Sequence, residues 1–252
     1  MKAKARRPQS TRPAKQHAEG RSVIYGWHSA LAALRNPARR ILSVLATANA
    51  AQRLAEEIPD FRAPEPVEAR EIDRLVGGDA VHQGIAVVVE PLEEKDLDEL
   101  AEGKLVVVLD QITDPHNVGA ILRSASAFGA DALIMTERHG PADSAVMAKA
   151  ASGGLEHVAI VRVKNLARTM DELGELGFLR LGLDSEHADP IESVAIDGPV
   201  ALVLGAEGKG LRRLTREKCD RLVRLDMPGA IKSLNVSNAA ALALYAVNRQ
   251  RK

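Results

Sequence analysis

Cysteine is nearly absent from this chain of 252 residues, because Cys219 is its one thiol. A single cysteine forms no internal disulfide and supplies no multi-cysteine zinc site. The seven histidines include no HxxxH pair that would place two metal ligands on one helix face. We therefore expect a protein without a metal, in which Cys219 is a partly buried structural thiol.

Long apolar runs are also missing. No stretch approaches the roughly 18 consecutive apolar residues that a membrane-spanning helix needs, and the N-terminus has no apolar signal segment. The sequence thus predicts a soluble, cytoplasmic protein. Its hydrophobic content of 46% suffices for one large core or two smaller ones.

The chain has no net charge, since 34 basic side chains balance 34 acidic ones. Their distribution is uneven, because residues 1–21 hold seven basic side chains and one acidic one. The remainder then holds 27 basic and 33 acidic side chains. We interpret 1–21 as a basic arm that either contacts phosphates through counterion release or is a solvated, disordered tail.

Apolar periodicity divides the rest of the chain into two alternating patterns of helix and strand. The first, 22–90, predicts helices at 25–36, 48–58 and 71–76 and strands at 41–45 and 84–90. An acidic stretch, 91–103, is predicted to be an exposed connecting helix and a linker. The second pattern, 104–252, predicts an α/β domain with a mostly parallel sheet. Its predicted strands are 104–110, 132–135, 158–163, 178–183, 200–204 and 221–225, and its predicted helices are 117–128, 144–151, 165–176, 211–218 and 234–250.

The first polar segment, within 109–131, follows an apolar strand and leads into a helix. Ligands of parallel sheets gather at such strand ends. Arg123 lies about 140° around that helix from Val118, which belongs to the apolar stripe, so Arg123 must point away from its own core. It is either a solvated surface arginine or a residue beside phosphate or ribose.

The second segment, 201–211, is an apolar strand that breaks into three glycines, Gly205, Gly208 and Gly210. Their spacing reverses the dinucleotide fingerprint and lacks the Ser or Thr of a phosphate-binding loop, which disfavours a nicotinamide or nucleotide enzyme. Glu207 would repel phosphates, whereas a cofactor with a positive charge, such as a sulfonium, would tolerate it. The alternative is a plain tight turn.

The third segment, 224–251, leads from a strand through a Pro-Gly loop into a long helix. Four Ser and Asn residues crowd the helix entrance, more than one N-cap requires: Ser233, Asn235, Ser237 and Asn238. The helix is apolar on more than one side. One side can cover the sheet, which leaves another for a second subunit.

Together the three segments resemble the SpoU/TrmH family of the SPOUT superfamily, whose members are RNA ribose 2′-O-methyltransferases. The matching residues are Asp114, Asn117, Gly119 and Arg123, then Gly205, Glu207 and Gly210, then Pro228, Ser233, Leu234, Asn235, Ser237 and Asn238. The resemblance covers about 104–250 and extends into the first pattern through Tyr25-Gly26 and His82-Gln83-Gly84-Ile85. It implies a knotted SPOUT (trefoil-knot) methyltransferase domain at 104–252, a homodimer, and an RNA-binding domain resembling a ribosomal protein at 22–90.

The resemblance also implies S-adenosylmethionine as the methyl donor. The residues it implies for binding that cofactor are Leu204, Gly205, Gly210, Leu225, Met227, Pro228 and Leu234, and those it implies for catalysis are Arg123, Asn117, Glu207, Ser233 and Asn235. Because a guanidinium is a poor proton acceptor, we expect Arg123 to stabilise the developing alkoxide rather than act as the base.

The two-part layout is similar to that of family members that methylate a guanosine ribose in 23S rRNA. A tRNA methyltransferase of the same family and a non-catalytic RNA-binding module are the open alternatives. The chain has six aromatic residues, which leaves little for base stacking. We therefore expect recognition of folded RNA through its shape and backbone.

Overall fold

The computed structural model describes residues 20–138, 144–185 and 189–251. The predicted basic arm, 1–21, lies outside the described residues apart from its last two. Two β-sheets organise these described residues, one of three strands and one of seven. No helix within the described ranges is long and apolar enough to cross a membrane.

The N-terminal unit is built on the three-stranded sheet. Its elements are β1 (Ser22–Tyr25), α1 (Trp27–Arg35), β2 (Ile41–Ala46), α2 (Ala48–Glu57), α3 (Ala69–Val76) and β3 (Ile85–Val89). The strands are antiparallel in the order β1-β3-β2. The prediction of a helix from residue 25 was wrong at its start, because Tyr25 ends β1. Gly26, with φ of 85°, turns the chain into α1 in a conformation that favours glycine.

The stretch 91–103 is not the exposed connecting helix that its acidic sequence predicted. Only Leu97–Leu100 is helical, as a short 3-10 turn. A capping box of Asp96 and Glu99 closes the start of this turn, and Leu100 is buried in a core beside the larger sheet. Leu97 and Leu100 therefore anchor this stretch to the second unit.

The larger sheet confirms the predicted α/β fold. Its strands are β4 (Leu105–Asp110), β5 (Ala132–Thr136), β6 (Ala159–Val163), β7 (Leu179–Leu183), β8 (Asp189–Pro190), β9 (Val200–Gly205) and β10 (Arg221–Arg224). Its helices are α4 (Pro115–Ala127), α5 (Ala145–Ala151), α6 (Leu166–Glu175), α7 (Arg213–Glu217) and α8 (Val236–Gln250). The strand order is β6-β5-β4-β9-β7-β10-β8, and every neighbouring pair is parallel.

Strand β4 shows why polar and apolar residues do not alternate along the strands of this sheet. Leu105, Val107 and Leu109 face a core that includes α4 and α8, whereas Val106 and Val108 face a core that includes α6. A parallel strand covered on both faces buries every side chain. The carboxyl ends of these strands carry the three polar segments.

The two units meet at α5 and at the turn that follows it. Arg39 and Glu156 form an ion pair of 2.7 Å whose side chains are 5% and 2% exposed. Ser29 Oγ donates to the carbonyl of Ala148 at 3.0 Å. Gln83 Oε1 accepts from the backbone N–H of Trp27 at 2.9 Å and from Lys149 Nζ of α5 at 3.1 Å. Gln83 therefore helps to join the two units.

Candidate functional site

A cavity of about 320 Å³ lies at the carboxyl ends of β7 and β9, beside the loop that follows β10. That volume is within the usual range for small-molecule sites. Apolar side chains form much of its wall, and the glycine loop after β9 forms another part. The predicted residues that line it are Leu204, Gly205, Glu207, Gly210, Leu225, Met227, Ser233 and Leu234.

The glycine loop folds tightly back on itself. A Cβ atom at Gly205 would lie 2.2 Å from the backbone carbon of Gly210 and 2.4 Å from the Leu211 nitrogen. The Gly210 N–H donates to the Ala206 carbonyl at 2.8 Å, and φ of Gly210 is 64°. Any side chain at Gly205 would therefore displace backbone atoms, so the tight turn itself requires glycine there. The same loop also lines the cavity.

Glu207 joins all three polar segments at the edge of this cavity. Its Oε1 accepts from Asn235 Nδ2 at 2.6 Å and from the Val236 N–H at 3.2 Å. Asn235 Nδ2 also donates to Asn117 Oδ1 at 3.0 Å, and Asn117 Nδ2 lies 3.5 Å from Glu207 Oε1. The structure therefore brings Asn117, Glu207 and Asn235 together.

Asn235 combines this link with a structural role. Its Oδ1 accepts from the Ser237 N–H at 2.9 Å and from Ser237 Oγ at 2.6 Å, which makes it the N-cap of α8. Ser233 lines the cavity, whereas Asn238 is exposed on α8. Of the four residues at the helix entrance, Asn235 is thus the cap, Ser237 supports it, Ser233 lines the cavity and Asn238 faces solvent.

Asp114 and Gly119 place helix α4. Asp114 Oδ1 accepts the His116 N–H at 3.0 Å as the N-cap, and Pro115 is the first helical residue. A Cβ atom at Gly119 would lie 2.5 Å from the Met147 carbonyl oxygen, because α5 packs closely there. These two residues fix the position of Asn117 and do not themselves line the cavity.

Arg123 points to solvent from α4, as its helical position predicted. The apolar stripe of that helix is fully buried, and Arg123 is exposed. Arg123 lies about 9 Å along the helix axis from Asn117, and it makes no hydrogen bond or ion pair with another described residue. Neither Arg123 nor the exposed Pro228 is among the described residues that line the cavity.

Several charged residues of the cavity escaped the sequence analysis. Asp184, at the end of β7, pairs with Arg216 of α7, and both line the cavity. Lys232 Nζ donates to the Met227 carbonyl at 2.6 Å and closes the loop after β10. The sequence did offer one signal for Asp184, which directly follows the predicted strand at 178–183. The sequence does not show, however, that this strand lies next to β9 and its glycine loop, because that depends on the strand order.

The cavity suits an organic ligand that has an apolar part and a cationic centre. Leu204, Leu225 and Met227 offer the apolar surface, and the Glu207 carboxylate attracts positive charge while repelling phosphates. Lys209 and Lys232 can meet a ligand carboxylate. Among the described residues no group of three or more His, Cys, Asp or Glu could hold a metal ion.

Comparisons with known proteins give a consistent assignment. The model of the SpoU rRNA methylase family matches residues 104–245, and the model for substrate binding by RNA 2′-O ribose methyltransferases matches residues 23–95. The 23S rRNA (guanosine-2′-O-)-methyltransferase RlmB of Ralstonia nicotianae is 41% identical over 240 residues, which cover 91% of this chain and 96% of that protein.

Two further proteins extend these comparisons. A putative TrmH family tRNA/rRNA methyltransferase of Staphylococcus haemolyticus is 40% identical over 194 residues, which cover 74% of this chain and 77% of that protein. The crystal structure of the SpoU methyltransferase AviRb from Streptomyces viridochromogenes with AdoMet superimposes with a TM-score of 0.76 at 26% identity. That match covers 92% of this chain and 90% of AviRb.

Proposed function

The chain belongs to the SpoU rRNA methylase family, and we propose that it transfers a methyl group from S-adenosylmethionine to the ribose 2′-hydroxyl of a guanosine in 23S rRNA. The observation that carries this proposal is the carboxylate of Glu207, hydrogen-bonded to Asn235 beside the apolar part of the cavity wall. Such a site favours a cationic donor over a nucleotide phosphate. The relative from Ralstonia nicotianae is named for this reaction.

The donor fits the residues that line the cavity. When bound, it supplies an electrophilic methyl group on a positively charged sulfur. Backbone groups of Gly205, Leu225 and Leu234, which line the cavity, would hold its adenosine part, and Gly210 permits the close turn of the glycine loop. Leu204 and Met227 form part of the apolar wall, whereas the exposed Pro228 belongs to the same loop as Met227 and does not line the cavity.

Positioning dominates the catalysis that this site offers. Asn117, Glu207 and Asn235 hold the geometry at the entrance of α8 through their mutual hydrogen bonds. Ser233 lines the cavity beside them. Arg123 stabilises the negative charge that develops on the ribose oxygen and anchors a flanking phosphate. The proton of the hydroxyl passes to that phosphate or to water, because a guanidinium stays protonated and is a poor proton acceptor.

A second copy of the chain completes the site in this proposal. Leu242 and Tyr245 of α8 are 50% and 54% exposed, and the Tyr245 ring packs edge-on against Phe128 at 6.1 Å between centroids. An apolar helix face of this kind suits a homodimer. Arg123 then acts near the interface, which agrees with its position outside the cavity lining of one chain.

The domain organisation follows the family. We propose a basic arm at 1–21, an RNA substrate-binding domain at 22–90 that resembles a small ribosomal protein, a linker at 91–103 and a methyltransferase domain at 104–252. The C-terminal half carries a trefoil knot in this proposal, and the enzyme works in the cytoplasm on ribosomal RNA.

Methyl transfer in vitro tests the function. The full chain is incubated with labelled S-adenosylmethionine and with either a 23S rRNA transcript or tRNA transcripts, and the product nucleosides are identified by mass spectrometry. We expect 2′-O-methylguanosine in the rRNA only, and much slower formation with the Arg123→Ala enzyme. Ribose methylation confined to tRNA would favour the tRNA alternative. No transfer to either RNA, from a folded protein, would contradict the proposal.

A further inference from the structure

A second cavity, of about 530 Å³, opens at the carboxyl ends of β5 and β6 beside α7. Four cationic residues line it, and we call it the basic cleft: Arg138, Lys164, Arg212 and Arg213. None of its described lining residues is acidic. Outside the arm at 1–21 the chain has more acidic than basic side chains, so this cluster stands against the charge of its surroundings.

Most of these cations are available to a ligand. Arg138 and Lys164 are exposed and pair with no carboxylate in the part of the chain that the structure describes. Among the described residues Arg213 pairs with Glu217 alone, at 2.7 Å on its own helix, and an exposed pair of this kind is weak. Three cationic side chains can therefore meet an anion at little cost.

Arg212 fixes the wall of the cleft. Its N–H donates to Asp110 Oδ2 at 2.9 Å, and its Nε donates to Asp110 Oδ1 at 2.6 Å. Asp110 is fully buried at the end of β4, so this contact holds the start of α7 against the sheet edge. Arg212 is thus held in place before a ligand arrives.

Thr136 provides an independent sign of a ligand. Its Oγ1 atom is buried, and among the described residues it has no hydrogen-bond partner. Thr136 is 7% exposed and lines the cleft. Buried hydroxyls are normally paired, and a phosphate oxygen is a suitable acceptor for this one.

The basic cleft lies on one side of the segment 205–215, and the cavity at the carboxyl ends of β7 and β9, which we call the donor cavity, lies on the other. Residues 205–210 line the donor cavity, and residues 212–215 line the basic cleft. Both open at the carboxyl edge of the same parallel sheet. A polyanion held in the cleft is therefore adjacent to the methyl donor. Leu214, which is 52% exposed, adds apolar surface for a sugar or base.

We propose that the basic cleft binds the phosphodiester backbone of the RNA substrate, close to the nucleotide that is methylated. This inference rests on the proposed function for the identity of the RNA. Arg138, Lys164 and Arg213 contact backbone phosphates, and Thr136 donates a hydrogen bond to one of them. These contacts add affinity and orientation without reading the base.

The test compares two full-length triple variants with equal loss of charge. One is Arg138→Gln/Lys164→Gln/Arg213→Gln. The control is Lys95→Gln/Lys104→Gln/Arg221→Gln, which removes three exposed cations near the amino ends of the strands. Binding of a 23S rRNA transcript is measured by filter retention over a range of KCl concentrations. The affinity for S-adenosylmethionine and the KM and kcat of methyl transfer are measured alongside.

We expect the cleft variant to bind the transcript about tenfold or more weakly and to lower the slope of log K against log salt by about two, since each lost contact removes about 0.7. Its KM for RNA should rise while its affinity for S-adenosylmethionine and its kcat at saturating RNA stay close to wild type. The control variant should stay within about twofold of wild type in every measurement. Equal affinities and salt slopes for the two variants would overturn the proposal, even if the cleft retains inorganic phosphate.

Thr136→Val adds a probe that changes no charge. The substitution keeps the shape of the side chain, so thermal stability should not fall, and RNA affinity should fall roughly fivefold. An unchanged RNA affinity would contradict the hydrogen bond from Thr136. If the wild-type protein binds the transcript but methylates no RNA, the proposed function fails, while the salt slopes still decide whether the cleft binds RNA.

Discussion

Asn235 Nδ2 lies 2.6 Å from Oε1 of Glu207, and the same oxygen accepts the Val236 N–H at the start of α8. Glu207 therefore ties the glycine loop after β9 to the entrance of the last helix. A carboxylate at a helix N-terminus is stabilised by the partial positive charge of the helix dipole. The Glu207 carboxylate thus lies at the start of α8, on the wall of the cavity.

Glu207→Gln tests the charge of this residue. Glutamine keeps the shape and an acceptor oxygen, so the fold should persist while affinity for S-adenosylmethionine falls about tenfold through the lost attraction. Isothermal calorimetry measures the affinity, and Glu175→Gln, an exposed glutamate of α6, is the matched control. Equal affinity in the two variants would show that the charge of Glu207 is not needed.

Much of the donor site could be predicted because it lies at strand ends. The unbroken apolar run of β4 indicates a strand buried on both faces, and polar residues that follow such strands meet at one sheet edge. The three segments carrying Asn117, Glu207 and Asn235 were recognised in this way. Their mutual hydrogen bonds agree with that expectation.

Other features depend on contacts between distant parts of the chain. Asp184 and Arg216 border the donor cavity only because β7 lies between β9 and β10, and one sequence does not reveal that strand order. Strand β1 was missed because it is only four residues long and directly precedes a helix. The buried pair of Arg39 and Glu156 joins residues 117 positions apart.

Glu156→Gln should destabilise the protein by about 3–5 kcal/mol, because Arg39 would remain buried without a full countercharge. Urea unfolding of the full chain measures the change. Arg40→Gln is the control, because Arg40 pairs with Glu90 in an exposed position. This substitution should lower the free energy of unfolding by less than about 1 kcal/mol. A loss for Glu156→Gln no larger than that of the control would contradict the structural importance of this pair.

Arg123→Lys and Arg123→Ala distinguish charge stabilisation from proton abstraction. Lysine keeps a positive charge, so Arg123→Lys should retain turnover at least about tenfold above that of Arg123→Ala. Single-turnover methylation of the rRNA transcript measures the rates, with cofactor and RNA binding as controls. If both variants bind normally and are equally inactive, a simple electrostatic role for Arg123 is wrong.

Cys219 should be unreactive in the folded protein. Burial raises the pKa of its thiol to about 12, and its Sγ donates to the Thr215 carbonyl at 3.3 Å. At pH 8 the thiolate, which is the reactive form, is then a small fraction of that in the unfolded chain, where the pKa is about 8.5. Iodoacetamide should label the native protein at least about 100-fold more slowly than the protein in urea. Similar rates in both conditions would contradict this assignment.

Calorimetric titration with S-adenosylmethionine tests the central claim most directly, namely that the three segments form one donor site. Wild type and Gly198→Ala, where the added methyl group meets no atom within 4 Å, should bind one donor per chain with equal affinity. Folded Gly205→Ala should bind about tenfold or more weakly, because its methyl group would lie 2.2 Å from the Gly210 backbone. The absence of binding by the wild-type protein, or undiminished binding by Gly205→Ala, would contradict the account.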